Sequence, residues 1–289
     1  MTRPATPPPS PPFEVTRLLD TATVSVREVC CRGECRHRSG EECTNATHLV
    51  FPYRGVYLRH VGSAQTVADA NHVLLFNADE DYQVSHPVAG GDANLVLQLA
   101  EPLLRELSPV SQIRNGGRAV FRHQALRIDA RAQALVALLQ HALRQGGIEP
   151  LEAEGLALTL ASRSLGPRTA HVPGATRARQ RLVDRVKVLL ASDPGRRWTL
   201  ADIAADTGGS PVYLTQAFRQ VEEMPLYRYQ LHLRLARALD LLKGDDDLST
   251  LAQNLGFSSH SHFAAAFRQT YGRTPSAFRA LTRRPAATG

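Results

Sequence analysis

The sequence contains no apolar run of the roughly 20 residues that a membrane-spanning helix needs, so it predicts no such helix. Residues 1–12 are rich in proline and lack the apolar core of a secretion signal. We therefore expect a disordered tail over 1–13 and a cytoplasmic location. Cysteine is scarce, with four residues in the whole chain, and no paired Cys-x-x-Cys motif is present. The spacing of a typical zinc ribbon or finger is thus missing.

The net charge of +7 is confined to the C-terminal part of the chain. Residues 171–289 hold 17 Lys and Arg against 10 Asp and Glu, whereas residues 1–170 hold 17 of each kind. A local excess of positive charge favours a polyanionic partner for that part. A solubilising surface would show the same excess, so charge alone leaves both interpretations open.

Short β-type runs separated by turn residues fill the N-terminal part. Strands are predicted at 23–29, 48–51, 55–60, 65–67, 73–76, 83–85 and 94–99. Because no helical period separates these runs, they indicate an antiparallel barrel or sandwich. Asp79, Glu80, Asp81 and His86 lie near a predicted strand end that could open on a barrel mouth, although a solvated acidic turn is the favoured interpretation.

Leucine spacing changes to a helical period after residue 128, which predicts helices over 129–144 and 149–164. These helices would form a dimer face or pack on the barrel. Two prolines and two glycines at 166–174 predict a linker to the last domain.

Seven helices are predicted in the C-terminal part, and the first of them covers 177–191. Thr199 caps the next helix, with Asp202 three residues later as an acidic capping box. That helix stops at Gly208, and Ser210 caps a third helix with Pro211 at its first position. A helix, a tight glycine-containing turn and a second helix are typical of a DNA-reading unit.

A second copy of this unit follows. A short helix ends at Gly256, and Ser259 caps the next helix 49 residues after Ser210. One long helix, over 226–243, connects the two copies and would span about 27 Å. That length is close to the roughly 34 Å repeat that separates successive major-groove segments.

The residues of both copies resemble the DNA-binding domain of the AraC/XylS family of transcription regulators. The resemblance covers 177–284, about a third of the chain, and departs at Glu223, where the family usually has glycine. The matching positions are Ile203-Ala204, Ser210, Leu214, Phe218-Arg219, Arg234-Leu235-Ala236-Arg237-Ala238, Leu241-Leu242, Leu251-Ala252, Gly256-Phe257-Ser258-Ser259, Phe263, Phe267-Arg268, Tyr271-Gly272, Thr274-Pro275 and Phe278-Arg279.

Helix geometry and the resemblance select the same outward-facing residues as DNA contacts. Those on the recognition helices would read base edges, while Arg219 and Arg268 would bind phosphate and fix the register. The complete predicted set is Ser210, Val212, Tyr213, Thr215, Gln216, Arg219, Ser259, His260, Ser261, His262, Ala265 and Arg268. A polar helix surface is the alternative interpretation for the two histidines.

The resemblance also implies the organisation of the whole chain, which we expect to be α+β and not an enzyme. It implies a cupin-like antiparallel β-barrel over 14–108 that senses an effector, a helical linker and dimerisation segment over 109–170, and an all-α domain over 171–289 with two helix-turn-helix motifs. The expected partners are a double-stranded promoter operator, RNA polymerase, a second copy of the chain and an unidentified small-molecule or metal effector. Whether the chain activates or represses is left open.

The four cysteines lie within fourteen residues, with histidines nearby. Adjacent Cys30 and Cys31 would point to opposite faces of a strand. The better candidate set for zinc or another thiophilic metal is therefore Cys31, Cys35 and Cys43 with His37. A disulfide switch and plain unreactive cysteines are the alternatives.

A second hypothesis is DNA repair by alkyl transfer, because Ada-type adaptive-response proteins join a four-cysteine zinc site to a similar helix-turn-helix pair. Cys31-x-x-x-Cys35 resembles half of that site. The second cysteine pair and the methyltransferase Pro-Cys-His-Arg stretch are absent from the sequence. The histidine pair and glutamate of the cupin dioxygenases are absent from the N-terminal half as well, which disfavours a metal-dependent oxygenase.

Overall fold

The computed structural model describes residues 13–33, 36–114, 118–166, 176–244 and 247–283. The predicted tail over 1–13 and the predicted linker over 166–174 lie almost entirely outside these ranges. Within them the chain forms a sheet-rich N-terminal domain followed by an all-helical C-terminal domain. The predicted α+β class is confirmed.

Strands of the N-terminal domain form two main antiparallel sheets. Their bounds are β1 Phe13–Asp20, β2 Val24–Cys31, β3 His48–Arg54, β4 Tyr57–Val61, β5 Ala64–Ala68, β6 His72–Phe76, β7 Gln83–Ser85, β8 Asp92–Leu99, β9 Ile113–Arg114, β10 Val120–Phe121 and β11 Ala125–Arg127. The six-stranded sheet has the order β1-β2-β8-β3-β6-β11, the three-stranded sheet has the order β5-β4-β7, and β9 and β10 pair separately. The domain is therefore an antiparallel two-sheet sandwich rather than the closed barrel predicted from the sequence, and its cupin-like character stays a prediction.

Side chains of the six-stranded sheet alternate between two apolar layers. One face packs on the three-stranded sheet through Leu74, Phe76 and Val96 against Tyr57 and Ala68. The opposite face carries the larger core, which helices cover. Those helices are α1 Glu101–Leu107, α2 Ala130–Gln145 and α3 Pro150–Leu165.

Asp129 caps α2 by accepting a hydrogen bond from Ala132 N, and its carboxylate also pairs with Arg163 of α3. Leu139 of α2 and Leu160 of α3 are fully buried against the sheet. Packing on the sheet thus accounts for the apolar faces of both predicted helices. A dimerisation role for this segment stays a prediction.

Seven helices form the described C-terminal domain, as the sequence predicts. They are α4 Arg177–Ser192, α5 Leu200–Thr207, α6 Pro211–Glu222, α7 Leu226–Leu241, α8 Leu248–Asn254, α9 His260–Tyr271 and α10 Pro275–Arg283. The connecting helix α7 has 16 residues and spans about 24 Å. It ends two residues earlier than predicted.

All seven predicted strands exist, but β1 and β9–β11 were not foreseen. The outer strand β11 pairs with β6, so the six-stranded sheet extends past residue 108 into the segment predicted to be helical. No helix in the described ranges is long and apolar enough to cross a membrane.

Candidate nucleic-acid interface and cavity

The first helix-turn-helix unit consists of α5 and α6. Ser210 caps α6 by accepting a hydrogen bond from Tyr213 N at 3.2 Å, and Pro211 occupies the first helical position. Leu214 and Phe218 bury one face of α6 in the core of this half. Its opposite face remains in solvent, and even the apolar Val212 is 67% exposed there.

The second unit consists of α8 and α9 and repeats this arrangement 49 residues later. Ser259 caps α9 by accepting a hydrogen bond from His262 N at 3.1 Å. Phe263 and Phe267 bury the inner face of α9 in the second core of the domain. The two units therefore place equivalent helix faces in solvent.

Every predicted DNA-contacting residue is exposed. The structure thus brings all twelve to the outer faces of α6 and α9 or to their N-terminal caps. That they contact DNA stays a prediction, since no nucleic acid is present to test it.

The two units are fixed to each other by Arg234 of α7 and by close backbone contact. The Arg234 guanidinium donates hydrogen bonds to Pro194 O and Arg196 O, each at 2.8 Å, and to Gly256 O at 3.4 Å. A β-carbon at Gly256 would lie 2.1 Å from Gly195 O, so only glycine permits this approach. The loop before α5 and the turn after α8 are thereby held together.

Glu223 ends α6 in the left-handed region, with φ 52 and ψ 18. Gly272 ends α9 at the equivalent position, with φ 74. The departure from the family pattern at Glu223 therefore leaves the end of the first recognition helix unchanged in form. A residue with a β-carbon occupies a backbone conformation that favours glycine.

A buried polar cluster joins the first unit to the N-terminal domain. His72 Nδ1 lies 2.8 Å from Asp69 Oδ1 and His72 Nε2 lies 3.5 Å from Glu222 Oε2. Lys187 Nζ lies 3.0 Å from Glu222 Oε1, and Tyr229 donates a 2.5 Å hydrogen bond to Asp69. All five side chains are buried, so the two domains meet through paired charges withdrawn from water.

These pairings set the charge states of the cluster. Burial and Lys187 both lower the pKa of His72, but Asp69 and Glu222 outweigh them and raise it above its ordinary value. Burial would raise the pKa of Glu222, yet Lys187 and His72 hold it well below its ordinary range. The cluster therefore combines charged acids with a histidine that favours its protonated form.

The second unit contacts the N-terminal domain through α2. Tyr271 OH donates to Gln133 Oε1 at 3.2 Å, and Lys243 donates to Gln140 Oε1 at 2.5 Å. Gln140 in turn donates to Glu28 of β2 at 2.6 Å. Both helix-turn-helix units are thus docked on the N-terminal domain.

A cavity of about 620 Å³ opens between the two sheets of that domain. Its lining is mixed: Val50, Tyr57 and Phe76 supply apolar surface, while Arg27 and Asn94 supply polar groups. A concave site with a few convergent polar groups is the usual form of a ligand site.

The candidate metal ligands do not all meet at this cavity. Cys31 lines it, whereas Cys30 faces the other side of β2 and lies 4.0 Å from the Arg54 guanidinium, as alternation along a strand requires. Cys43 also lines the cavity, although it is exposed. His37 is exposed, and Cys35 lies outside the described residues.

Among the described residues, one group of three ligand atoms comes within 4.8 Å of one another, and it consists of Cys31, His86 and Asp92. Its members do not include Cys43 or His37. The side-chain contact with Asp92, supported by Cys31, raises the pKa of His86 to about 10. In the sequence, His86 stands out only beside an acidic turn, and Asp92 does not stand out as a ligand. A histidine just after one strand and an acid at the start of the next were the available signal.

The comparisons with known proteins concern mainly the C-terminal domain. Residues 203–281 match the family described as a helix-turn-helix domain. The regulatory protein PocR of Salmonella typhimurium is 36% identical over 81 residues, which cover 28% of this chain and 27% of PocR. The transcriptional activator RhaR of Klebsiella pneumoniae is 29% identical over 162 residues, covering 56% and 52%. An AraC-like transcription regulator of Streptomyces lividans is 34% identical over 92 residues, covering 31% and 30%.

The C-terminal domain of this chain is an AraC-type helix-turn-helix domain, which confirms the family predicted from its motifs. PocR is a regulatory protein, and RhaR and the Streptomyces lividans protein are transcription regulators, in agreement with the prediction that the chain is not an enzyme. The chain spans between 27% and 52% of the length of these three relatives.

Proposed function

We propose that this protein is a DNA-binding transcription regulator whose helices α6 and α9 enter successive major-groove segments of a double-stranded promoter operator. The observation that carries this proposal is the 49-residue repeat, which exposes equivalent faces of two capped recognition helices. The positive charge of the same domain would attract the phosphate backbone.

The exposed side chains suggest a division of tasks between base reading and positioning. Gln216 can pair bidentately with adenine, while Val212 and Thr215 can pack on a thymine methyl group. His260 and His262 would present ring nitrogens to base edges in the second segment. Arg219 and Arg268, in the last turns of the two helices, would bind phosphates.

The test begins with an operator selected from random duplexes by the full-length protein, followed by fluorescence anisotropy at fixed salt. Gln216→Ala and His260→Ala should each weaken binding by about 1–3 kcal/mol and relax sequence preference at separate positions. Gln145→Ala, at an exposed glutamine at the end of α2, is the matched control and should bind as the wild type does. Equal affinity of all four proteins for the operator would contradict the assigned groove contacts.

We further propose that the N-terminal domain senses an effector in the cavity between its sheets and that the docked interface transmits this state to the helix-turn-helix units. The cavity volume of about 620 Å³ suits a small molecule. The protein would act as a homodimer that contacts RNA polymerase. The effector sensed by the N-terminal domain would be a small molecule, a metal ion or a redox signal. Sedimentation with and without operator DNA tests the dimer, since a purely monomeric complex would contradict it.

A further inference from the structure

Cys31 and Asp92 are brought together by strand register. Cys31 is the last residue of β2, Asp92 is the first residue of β8, and the two are direct cross-strand partners. Their side chains point into the cavity from the six-stranded sheet. Such cross-strand neighbours have β-carbons about 5 Å apart, within reach of one bound ion.

His86 approaches the same point from the facing sheet. It directly follows β7 of the three-stranded sheet, and its Nε2 lies 2.9 Å from Asp92 Oδ2. Both side chains are more than nine-tenths buried. The three ligand atoms therefore converge between two sheets rather than on one loop.

The contact between His86 and Asp92 is a short ion pair in which the ring N–H is poorly aligned with Oδ2. Asp92 Oδ2 has no hydrogen-bond partner among the described residues, and neither has His86 Nδ1. This buried pair and the nearby thiol of Cys31 form a set of three donor atoms that one ion can share.

Neighbouring groups orient two of the three ligands. Asn94 Nδ2 donates to Asp92 Oδ1 at 2.7 Å, which leaves Oδ2 directed at the common point. The backbone N–H of Gly33 donates to Cys31 Sγ at 3.4 Å, which fixes the direction of the sulfur atom. Supporting hydrogen bonds of this kind are a regular feature of metal sites in proteins.

Glycine residues permit the close backbone packing around this point. A β-carbon at Gly91 would lie 2.3 Å from Cys31 O, and one at Gly33 would lie 2.8 Å from Gly91 Cα. Both glycines also have positive φ. The backbone around Cys31 and the backbone before Asp92 are therefore in direct contact, and this contact helps to fix the positions of the two ligands.

We propose that Cys31, His86 and Asp92 bind a zinc-class divalent cation, with a fourth coordination position facing the cavity. One thiolate, one imidazole and one carboxylate are all ligands that zinc accepts, and three protein ligands are typical of zinc sites that stay open to a further ligand. Bond lengths of about 2.0–2.3 Å place the ligand atoms of a tetrahedral ion roughly 3 to 4 Å apart. The three ligand atoms lie within 4.8 Å of one another, so small side-chain shifts, including a slight separation of His86 Nε2 from Asp92 Oδ2, suffice for binding. Binding releases protons to solvent, because the ligating forms are the thiolate and the neutral imidazole.

This site shares Cys31 with the set inferred from sequence spacing and differs from it in the other ligands. It does not depend on the proposed function. Its use as an effector site does rest on that function. The ion would then either be the signal itself or hold an anionic ligand at its fourth position. Metal binding and operator binding are measured separately, so one can fail without the other.

The test uses the full-length protein stripped with a chelator and titrated with zinc against a chromophoric zinc indicator. We expect one tightly bound zinc per chain, and at least about tenfold weaker binding in Cys31→Ser, His86→Gln and Asp92→Asn. Cys30→Ser and Cys43→Ser are the matched controls and should retain the site. Titration of the wild type with cobalt should give thiolate charge-transfer absorption and the intense visible bands of tetrahedral coordination, a readout independent of how the variants fold.

Three results would overturn the proposal. One is the absence of stoichiometric zinc, which would leave His86 and Asp92 as an ion pair only. Another is a cobalt spectrum without thiolate absorption. The third is loss of zinc in Cys43→Ser equal to that in Cys31→Ser, which would place the metal on the exposed cysteine segment.

Discussion

Glu223 holds its left-handed conformation at the end of α6 without the freedom of glycine. Such a conformation costs an amino acid with a β-carbon about 1–2 kcal/mol. Its side chain is exposed, so no buried contact offsets this cost. The equivalent Gly272 at the end of α9 carries no such strain.

We therefore predict that Glu223→Gly stabilises the protein by about 0.5–1 kcal/mol, since the relief of strain exceeds the extra freedom glycine gives the unfolded chain. Equilibrium urea unfolding would measure the change. The reciprocal variant Gly272→Ala introduces the same strain into the second unit and should destabilise by about 1 kcal/mol. A Glu223→Gly variant less stable than the wild type would show that the Glu223 side chain contributes more than its exposure indicates.

At the scale of elements, the interface between the N-terminal domain and the first helix-turn-helix unit depends on groups that titrate. Titratable groups face His72 from every element packed there: Asp69 after β5, Asp184 and Lys187 of α4, Glu222 of α6 and Tyr229 of α7. Because the pKa of His72 is raised, the folded protein binds more protons than the unfolded chain just above pH 6.5. The stability that His72 contributes is complete below that pH and declines as the pH rises through its folded value.

We expect the free energy of unfolding of the wild type to fall, relative to His72→Gln, by up to about 1.4 kcal/mol per pH unit above pH 6.5. The difference between the two proteins is the relevant quantity, because the raised pKa of His86 contributes to the pH dependence of both proteins equally. His37→Gln, at an exposed position away from the cluster, is the control and should follow the wild type. Parallel curves for the wild type and His72→Gln would contradict a raised pKa in this interface.

Local patterns predicted most elements, because alternation and helical periods are properties of neighbouring residues. Seven strands, the helices α2 and α3 and all seven C-terminal helices follow from them. Strand β1 was not predicted because it is an edge strand whose residues are mostly exposed. Strands β9 to β11 were not predicted because they have only two or three residues each. None of these carries a clear period.

The exposed faces of the recognition helices could be predicted from the sequence, whereas the proposed metal site could not. The faces of α6 and α9 follow from helical spacing alone, so every predicted residue is exposed. Cys31, His86 and Asp92 meet through β2–β8 register and the stacking of two sheets, which are long-range properties. Cysteine clustering therefore drew attention to His37, which is exposed, and to Cys43, which lines the same cavity but does not belong to the group of three ligand atoms.

For the molecule as a whole, the uneven charge distribution has a measurable consequence. The N-terminal part is neutral while the C-terminal part carries the entire excess of +7. If Arg219 and Arg268 each neutralise one phosphate, binding releases about one counterion for each of them.

We predict that Arg219→Ala and Arg268→Ala each reduce the slope of log Kobs against log salt by about 1 and weaken binding similarly for all DNA sequences. Anisotropy titrations at several salt concentrations supply these slopes. Arg131→Ala removes an exposed arginine from α2 and should leave the slope unchanged. A slope unaffected by either helix variant would show that these side chains do not reach the backbone of the duplex.

The five-residue strand β6 connects the cavity to the interface with the C-terminal domain. Phe76 at one end lines the cavity, His72 at the other belongs to the interface with the first helix-turn-helix unit, and the strand is hydrogen-bonded to β3 and β11 on its two sides. The two ends are about 13 Å apart with no loop between them. Because no flexible loop lies between these two residues, a ligand that displaces Phe76 along the strand axis displaces His72 as well. The displacement must then either move His72 relative to Glu222 or break hydrogen bonds of the sheet.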